Sequence, residues 1–261
     1  MTAREVEEIV LDIAPLENGM EGDPNGLLYG APDTEVTGVA TTWTPTVAVL
    51  REAACDGLNF VLTHEIPFFG GGETEWFRTL PEEEKPHNLA RRRILDENKM
   101  VVCRCHSNWD ASPGGVMESC AAALGFSDVH HRHPFCTTYR IEPTNLADLA
   151  LHAKARLGVP LVRVAGDTGM MVRTVTVHYG GLAQRWLAVD EAVIAGADAI
   201  ICGEALDYTL RAAIDAGIGF VETSHVYSEN PGMRNFARLL AERLPDLPVR
   251  FINAGMPWVY L

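Results

Sequence analysis

The chain has 261 residues, 47% of them hydrophobic and 21% charged, which is ordinary for a globular protein and enough to bury a sizeable core as one large domain or two small ones. Its formal net charge of −14 argues against a nucleic-acid backbone or an anionic membrane as a partner. No run of about 18 apolar residues exists to span a bilayer, and Thr2-Ala3-Arg4-Glu5 reads as a helix capping box instead of a signal peptide, so a cytoplasmic location is expected.

In chain order, residues 2–17 read as an amphipathic helix and residues 36–41 as a short apolar strand. Residues 44–56 form a helix opened by Pro45 and closed by Gly57. Residues 58–63 are a continuous apolar run, the pattern of a strand buried on both faces. A polar loop with Gly70, Gly71 and Gly72 follows, then a helix at 87–98, a strand at 100–104 and a helix at 114–124. Beyond 171 come strand 172–179, helix 185–195, strand 198–202, helix 206–216, strand 218–223, helix 229–244 and strand 248–252. The alternation predicts an α/β fold, with an N-terminal half at 1–126, a connecting segment at 127–171 and a C-terminal half at 172–261. The six cysteines contain no Cys-x-x-Cys pair and mostly sit in apolar runs, where they are expected to be inert core thiols.

An internal repeat matters more than any single motif. Arg51-Glu52-Ala53 through Gly57 to Thr63-His64-Glu65 aligns without gaps on Asp190-Glu191-Ala192 through Gly196 to Cys202-Gly203-Glu204. At a second offset, Leu95-Asp96 leading to His106-x-x-x-Asp110 aligns on Ile214-Asp215 leading to His225-x-x-x-Glu229. Two matches in the same order predict two related α/β subdomains from a duplication.

Open α/β sheets collect ligands beyond the carboxyl ends of their strands, where His64, Glu65, His106, Asp110, His225 and Glu229 all fall. Imidazole nitrogens and carboxylate oxygens are the common ligands of Zn²⁺, Mn²⁺ and Fe²⁺. A His with a carboxylate four positions on presents both to one point once a helix begins. The expected site is therefore a pair of divalent ions (Zn, Mn, Fe or Mg) at the junction of the two subdomains. Glu204, the repeat partner of Glu65, is expected to support the site from behind. Gly180-Gly181 reads as a turn with some capacity to cradle a phosphate. His130, His131 and His133 read as surface residues, and Trp43, Trp76, Trp109 and Trp186 as packing residues.

Asp23-Pro24-Asn25-Gly26-Leu27-Leu28-Tyr29-Gly30, Leu62-Thr63-His64-Glu65-Ile66-Pro67-Phe68-Phe69, His106-x-x-x-Asp110 with Gly114-Gly115-Val116, and Ser224-His225-x-x-x-Glu229 resemble, in order, the signatures of the Nif-three-like dinuclear metal-centre family. Some of its members are labelled GTP cyclohydrolase I type 2. The resemblance implies a toroidal homohexamer and a dinuclear centre with His64, Asp110, His225 and Glu229 as ligands and His106 nearby. Three departures stand out. Glu65 replaces the second imidazole of a usual His-His pair, Thr42 takes the place of a family Asp, and the usual glycine-rich turn is reduced to Gly180-Gly181. Glu65 either hardens one site, favouring Mn²⁺, Fe²⁺ or Mg²⁺ over Zn²⁺ there, or leaves it weakly filled. The implied activity is metal-dependent hydrolysis of a nucleotide or other phosphorylated small molecule, with His106 or Glu65 moving the proton. The alternative is a metal chaperone or insertase, or a metal-assembled scaffold without turnover.

Overall fold

The structure is a computed structural model that describes residues 1–70, 79–184 and 186–259, so Gly71, Gly72 and Trp76 lie outside the described residues. Its contacts divide the chain into two units, Met1–Ser112 with Met233–Ala254, and Pro113–Gly232 with Gly255–Leu261. The stretch 127–171, expected to connect two halves, instead carries strands and a helix of the second unit.

In the first unit, α1 (Ala3–Ile13) starts at the anticipated capping box. The Thr2 hydroxyl accepts the Glu5 N–H at 3.3 Å, and the Glu5 carboxylate accepts the Thr2 N–H at 2.7 Å. The helix stops short of residue 17, where Pro15 breaks it into a single 3₁₀ turn at Leu16–Asn18. Then come β1 (Gly26–Tyr29), β2 (Val39–Thr42), α2 (Val47–Cys55), β3 (Phe60–Thr63), α3 (Pro86–Glu97), β4 (Val101–Arg104) and the short α4 (Ser107–Ala111). With β11 (Val249–Phe251) from the end of the unit, the sheet order is β1-β4-β3-β2-β11, parallel except for β1. Its last strand, β11, pairs with β2 and so belongs to this sheet, although its position in the chain assigned it to the other half. Leu50, Ala53, Ile94 and Leu95 of the two crossover helices bury against Ala40, Val61 and Val102.

The second unit opens with α5 (Val116–Leu124), ended by Gly125 in the left-handed conformation, φ 82°. Next are the hairpin β5 (Asp128–His133) and β6 (Cys136–Asn145), then α6 (Leu146–Leu157) and β7 (Arg163–Ala165). They are followed by β8 (Met171–Val177), α7 (Leu187–Ile194), β9 (Ala199–Cys202), α8 (Asp207–Asp215), β10 (Gly219–Glu222) and α9 (His225–Arg243). That last helix begins four residues earlier than expected, and its later turns belong to the first unit. The sheet order is β5-β6-β8-β9-β10-β7, with β8, β9 and β10 parallel. One face packs Val175, Val177 and Ile201 against α5 and α6; the other packs Ile200, Cys202 and Phe220 against α7 and α8.

Each unit thus contains the same parallel core, β2-α2-β3-α3-β4 in one and β8-α7-β9-α8-β10 in the other, each flanked by an antiparallel strand on its third member. This is the topology the repeat predicts. Trp109 is fully buried, whereas Trp186 is 62% exposed and is not a packing residue. Cys55 is exposed; the other five thiols are buried and all six are free. Among the described residues no helix is long and apolar enough to cross a membrane.

Phe220, fully buried on β10, anchors the second sheet. Phe220→Ala is expected to cost about 3–5 kcal/mol by leaving a cavity, and half-exposed Ile214→Ala well under about 1 kcal/mol. Urea unfolding of both variants measures the difference.

Candidate metal centre

The carboxyl ends of β3 and β4 deliver the first set of donors. His64 follows β3 and is fully buried; its Nδ1 lies 3.0 Å from the Cys105 carbonyl. A carbonyl only accepts, so Nδ1 carries the proton and Nε2 keeps its lone pair. That Nε2 lies 3.4 Å from Asp110 Oδ1. His106 caps α4 and Asp110 sits one turn along, on the same side of the helix start. The His64 and His106 rings are 4.8 Å apart, and donor atoms of His64, His106 and Asp110 all lie within 4.8 Å of one another. Glu65 is half-buried on the next residue; its N–H donates to the Trp43 carbonyl at 2.8 Å, and its carbonyl accepts from the Thr63 hydroxyl at 3.0 Å. Thr42 is buried and donates to the Thr44 carbonyl at 3.3 Å.

Asp23 holds this set from behind. Its carboxylate accepts from His106 Nδ1 at 2.9 Å, from Arg104 at 2.6 Å and from the Ser107 N–H at 3.1 Å. Asn25 Oδ1 accepts the His106 backbone N–H at 2.9 Å. The carboxylate–imidazole pair fixes the ring and leaves Nε2 as its acceptor, the arrangement that orients histidines toward metal ions. Burial alone would raise the Asp23 carboxyl, but hydrogen bonds from Ser107, Arg104 and His106 outweigh it and hold the group well below the usual carboxylate range. No periodicity marked Asp23 or Asn25 as site residues. Their only signal was the Asp23–Gly30 signature, which reads equally well as a turn.

In the second unit the same logic recurs at the end of β10. His225 begins α9, and Glu229 lies one turn on and almost fully buried. His225 Nε2 is 3.2 Å from Glu229 Oε1, while its Nδ1 is 3.2 Å from Glu204 Oε1. Glu204 therefore stands on the Nδ1 side of His225. Ser224, just before, is held at φ 83°, a strained conformation for a non-glycine residue. The Ser228 hydroxyl accepts the Gly180 N–H at 2.8 Å and donates to the His225 carbonyl at 2.7 Å.

Gly180 explains the surviving glycine pair by steric exclusion. A Cβ at 180 would lie 1.9 Å from Glu229 Oε1 and 2.8 Å from His225 Nε2, and the backbone there has φ 53°. Any side chain would fill the space in front of both donors. Gly203, the repeat partner of His64, is also forced to be glycine, because its Cβ would sit 2.3 Å from the Gly180 carbonyl oxygen. That contact is why the second half has no imidazole at this position. Elsewhere, a cleft of about 830 Å³ lined by Tyr29, Asp33, Asn59 and Lys99 lies at the amino ends of β3 and β4, away from His64 and His106.

Asp23→Asn leaves the buried Arg104 guanidinium without its counter-charge and is expected to cost about 2 kcal/mol at neutral pH. Because the Asp23 carboxyl titrates below its unfolded value, its contribution is present above about pH 4 and is lost as the pH falls further. The stability gap between wild type and variant should therefore be full at pH 7 and narrow at pH 3, as urea titrations at the two values would measure.

Residues 1–256 match the family model Duf34/NIF3 (NGG1p interacting factor 3). A "GTP cyclohydrolase 1 type 2 homolog" of Clostridium perfringens is 28% identical over 264 residues, covering 97% of this chain and 95% of its own. Another of that name, from Escherichia coli K12, is 30% identical over 237 residues, covering 90% of each chain. Among solved structures, a Bacillus cereus protein related to NIF3 superposes with a TM-score of 0.82 over 100% of this chain and 99% of its own, at 17% identity. With the repeat, the paired sheets and the ordered signatures all in place, the chain belongs to the Duf34/NIF3 family.

Proposed function

We propose that the protein binds two divalent metal ions with His64, Glu65, Asp110, His225 and Glu229, and uses them to hydrolyse a nucleotide or another phosphorylated small molecule. The supporting observation is the state of the imidazoles. His64, His106 and His225 each have Nδ1 tied to a carbonyl or a carboxylate. His64 and His225 turn Nε2 to within 3.4 Å and 3.2 Å of a helical carboxylate. A lone pair beside a carboxylate oxygen suits a cation, and mixed nitrogen and oxygen donors fit Zn²⁺, Mn²⁺ or Fe²⁺. The space kept open by Gly180 in front of His225 and Glu229 fits the same reading.

When bound, such ions supply Lewis-acid activation of water and of the substrate oxygen. The chain's own part is to hold the donors rigidly and to move a proton. Asp23 keeps the His106 proton on Nδ1 and leaves Nε2 as the free acceptor, so His106 is the residue assigned to take the proton from water. Glu65 supplies an oxygen donor where the resemblance implies a second imidazole. The printed name of the Clostridium and Escherichia relatives directs the substrate proposal toward a nucleotide.

Glu229→Ala should lose at least one ion per chain by elemental analysis while staying folded by circular dichroism; two ions at full occupancy would remove Glu229 from the ligand set. Glu65→His should raise the Zn²⁺ content of protein purified without added metal, and unchanged content would place Glu65 outside the ligand set. The hydrolase reading is tested by incubating the metal-loaded protein with nucleoside triphosphates and a library of phosphorylated metabolites. Release of product that ceases with chelator, and falls at least 100-fold in Glu229→Ala, is the expected result. Stoichiometric metal binding with no turnover of any compound would favour the metal-carrier alternative.

A further inference from the structure

The second unit contains another group of donors that shares no residue with the centre above. β5 and β6 join through Pro134-Phe135 alone, so His133 and Cys136 face each other as a cross-strand pair. The β6–β8 register pairs Thr137 with Val177 and Thr138 with Thr176; carried one residue further, it sets His178 opposite Cys136. Directly opposed residues share a face. His133, Cys136 and His178 therefore form one row across three neighbouring strands.

The face is identified by its neighbours. Thr176 is opposite Ile200, which packs with α7 and α8, and the Thr138 and Thr176 hydroxyls bond at 2.8 Å on that side. Helix α7 brings Glu191 over the row: His133 Nε2 lies 3.3 Å from Glu191 Oε1. Donor atoms of His133, Cys136 and Glu191 all fall within 4.8 Å of one another.

His178 is the independent observation. It is 97% buried, by its 3% exposure, and neither ring nitrogen has a hydrogen-bond partner of ordinary geometry among the described residues. Burial pushes it down to about 4; the neighbouring His133 charge acts in the same direction, and the Ala188 backbone, one turn before Glu191, opposes it. A buried neutral imidazole whose nitrogens lack well-formed hydrogen bonds costs stability unless something offsets it. Burial, together with the Glu191 charge, pushes the Cys136 thiol up to about 12, so in the absence of a cation it is an ordinary protonated thiol.

We propose that His133, Cys136 and Glu191, with His178 beside them, form a further divalent-metal site of the Zn²⁺ class. Thiolate with imidazole and carboxylate is a borderline-soft donor set that prefers Zn²⁺ or Co²⁺ to Mg²⁺ or Ca²⁺. Binding displaces the Cys136 proton to solvent and forms the metal–sulfur bond. At His133 the Nε2 proton moves to Nδ1 by way of solvent, giving up the weak 3.3 Å contact in which Nδ1 accepts the Phe135 N–H. The site staples the β5–β6 hairpin to α7, and its half-buried His133 and Glu191 leave an entry path from solvent.

Titration of the metal-free full-length chain with Co²⁺ tests this, because the first centre's proposed ligands contain no sulfur. The expected result is a near-ultraviolet thiolate-to-cobalt charge-transfer band that saturates at one Co²⁺ per chain, persists in excess Mg²⁺ and is displaced by Zn²⁺. Cys136→Ser should abolish the band and lower bound Co²⁺ by one per chain. Absence of the band in wild type, or its survival in Cys136→Ser, overturns the proposal. Glu191→Gln provides a second arm should the serine variant not fold. It should weaken the Co²⁺ affinity read from the band at least tenfold, and unchanged affinity overturns the site equally.

Discussion

A neutral imidazole has one nitrogen that donates and one that accepts, so whatever occupies the donor decides what the acceptor can do. At the strand ends of both units that choice is made by the backbone or by a carboxylate: Cys105 for His64, Asp23 for His106 and Glu204 for His225. In His64 and His225 the opposite nitrogen meets an oxygen from the first turns of a helix, Asp110 on α4 or Glu229 on α9. Everything proposed for the centre depends on this one-sided satisfaction of the rings. It makes them preorganised nitrogen donors and spares any cation the cost of ordering them.

The duplicated parallel cores explain why the arrangement occurs twice, and the glycines explain why the copies differ. In the first copy the residue after β3 is His64; in the second, the Gly180 carbonyl occupies the space where a Cβ of residue 203 would go. In the second copy the donors His225 and Glu229 both lie on α9, with Glu204 beside His225, while the first uses both a strand end and a helix. Asp23 adds a further layer to the first copy. It ties Arg104, His106 and Ser107 to the loop before β1, so the antiparallel edge strand and the donor set are fixed by one carboxylate.

Alternation along the second sheet separates two environments. Val175, Val177 and Ile201 face α5 and α6 in an apolar core, while Cys136, Thr138, Thr176 and His178 form a polar stripe under α7. Polar atoms on a buried face are retained only where partners satisfy them, and the two threonines satisfy each other. Among the described residues His178 lacks a hydrogen-bond partner of ordinary geometry, and this is the physical basis for treating the row with His133 and Cys136 as something other than packing.

The parallel cores, their crossover helices and the helical His-x-x-x-carboxylate pairs were legible in the chain because each is local: apolar runs for buried strands, periodicity for helices, four-residue spacing for a shared helix face. The repeat located His64, His106, Asp110, His225 and Glu229 at strand ends for the same reason. Pairing partners far apart in the chain were not legible. β11 joins β2 across some two hundred residues, and 128–165 completes the second sheet instead of linking two halves. Asp23 reaches His106 over 83 positions, and His178 meets the His133–Cys136 row through antiparallel register. Composition and spacing determined the fold class and nominated the candidate donors; tertiary structure alone decided which nitrogen each ring presents and which carboxylate stands behind it. A hydrogen bond between distant segments depends on how strands and loops pack together, and no local pattern of side chains records that.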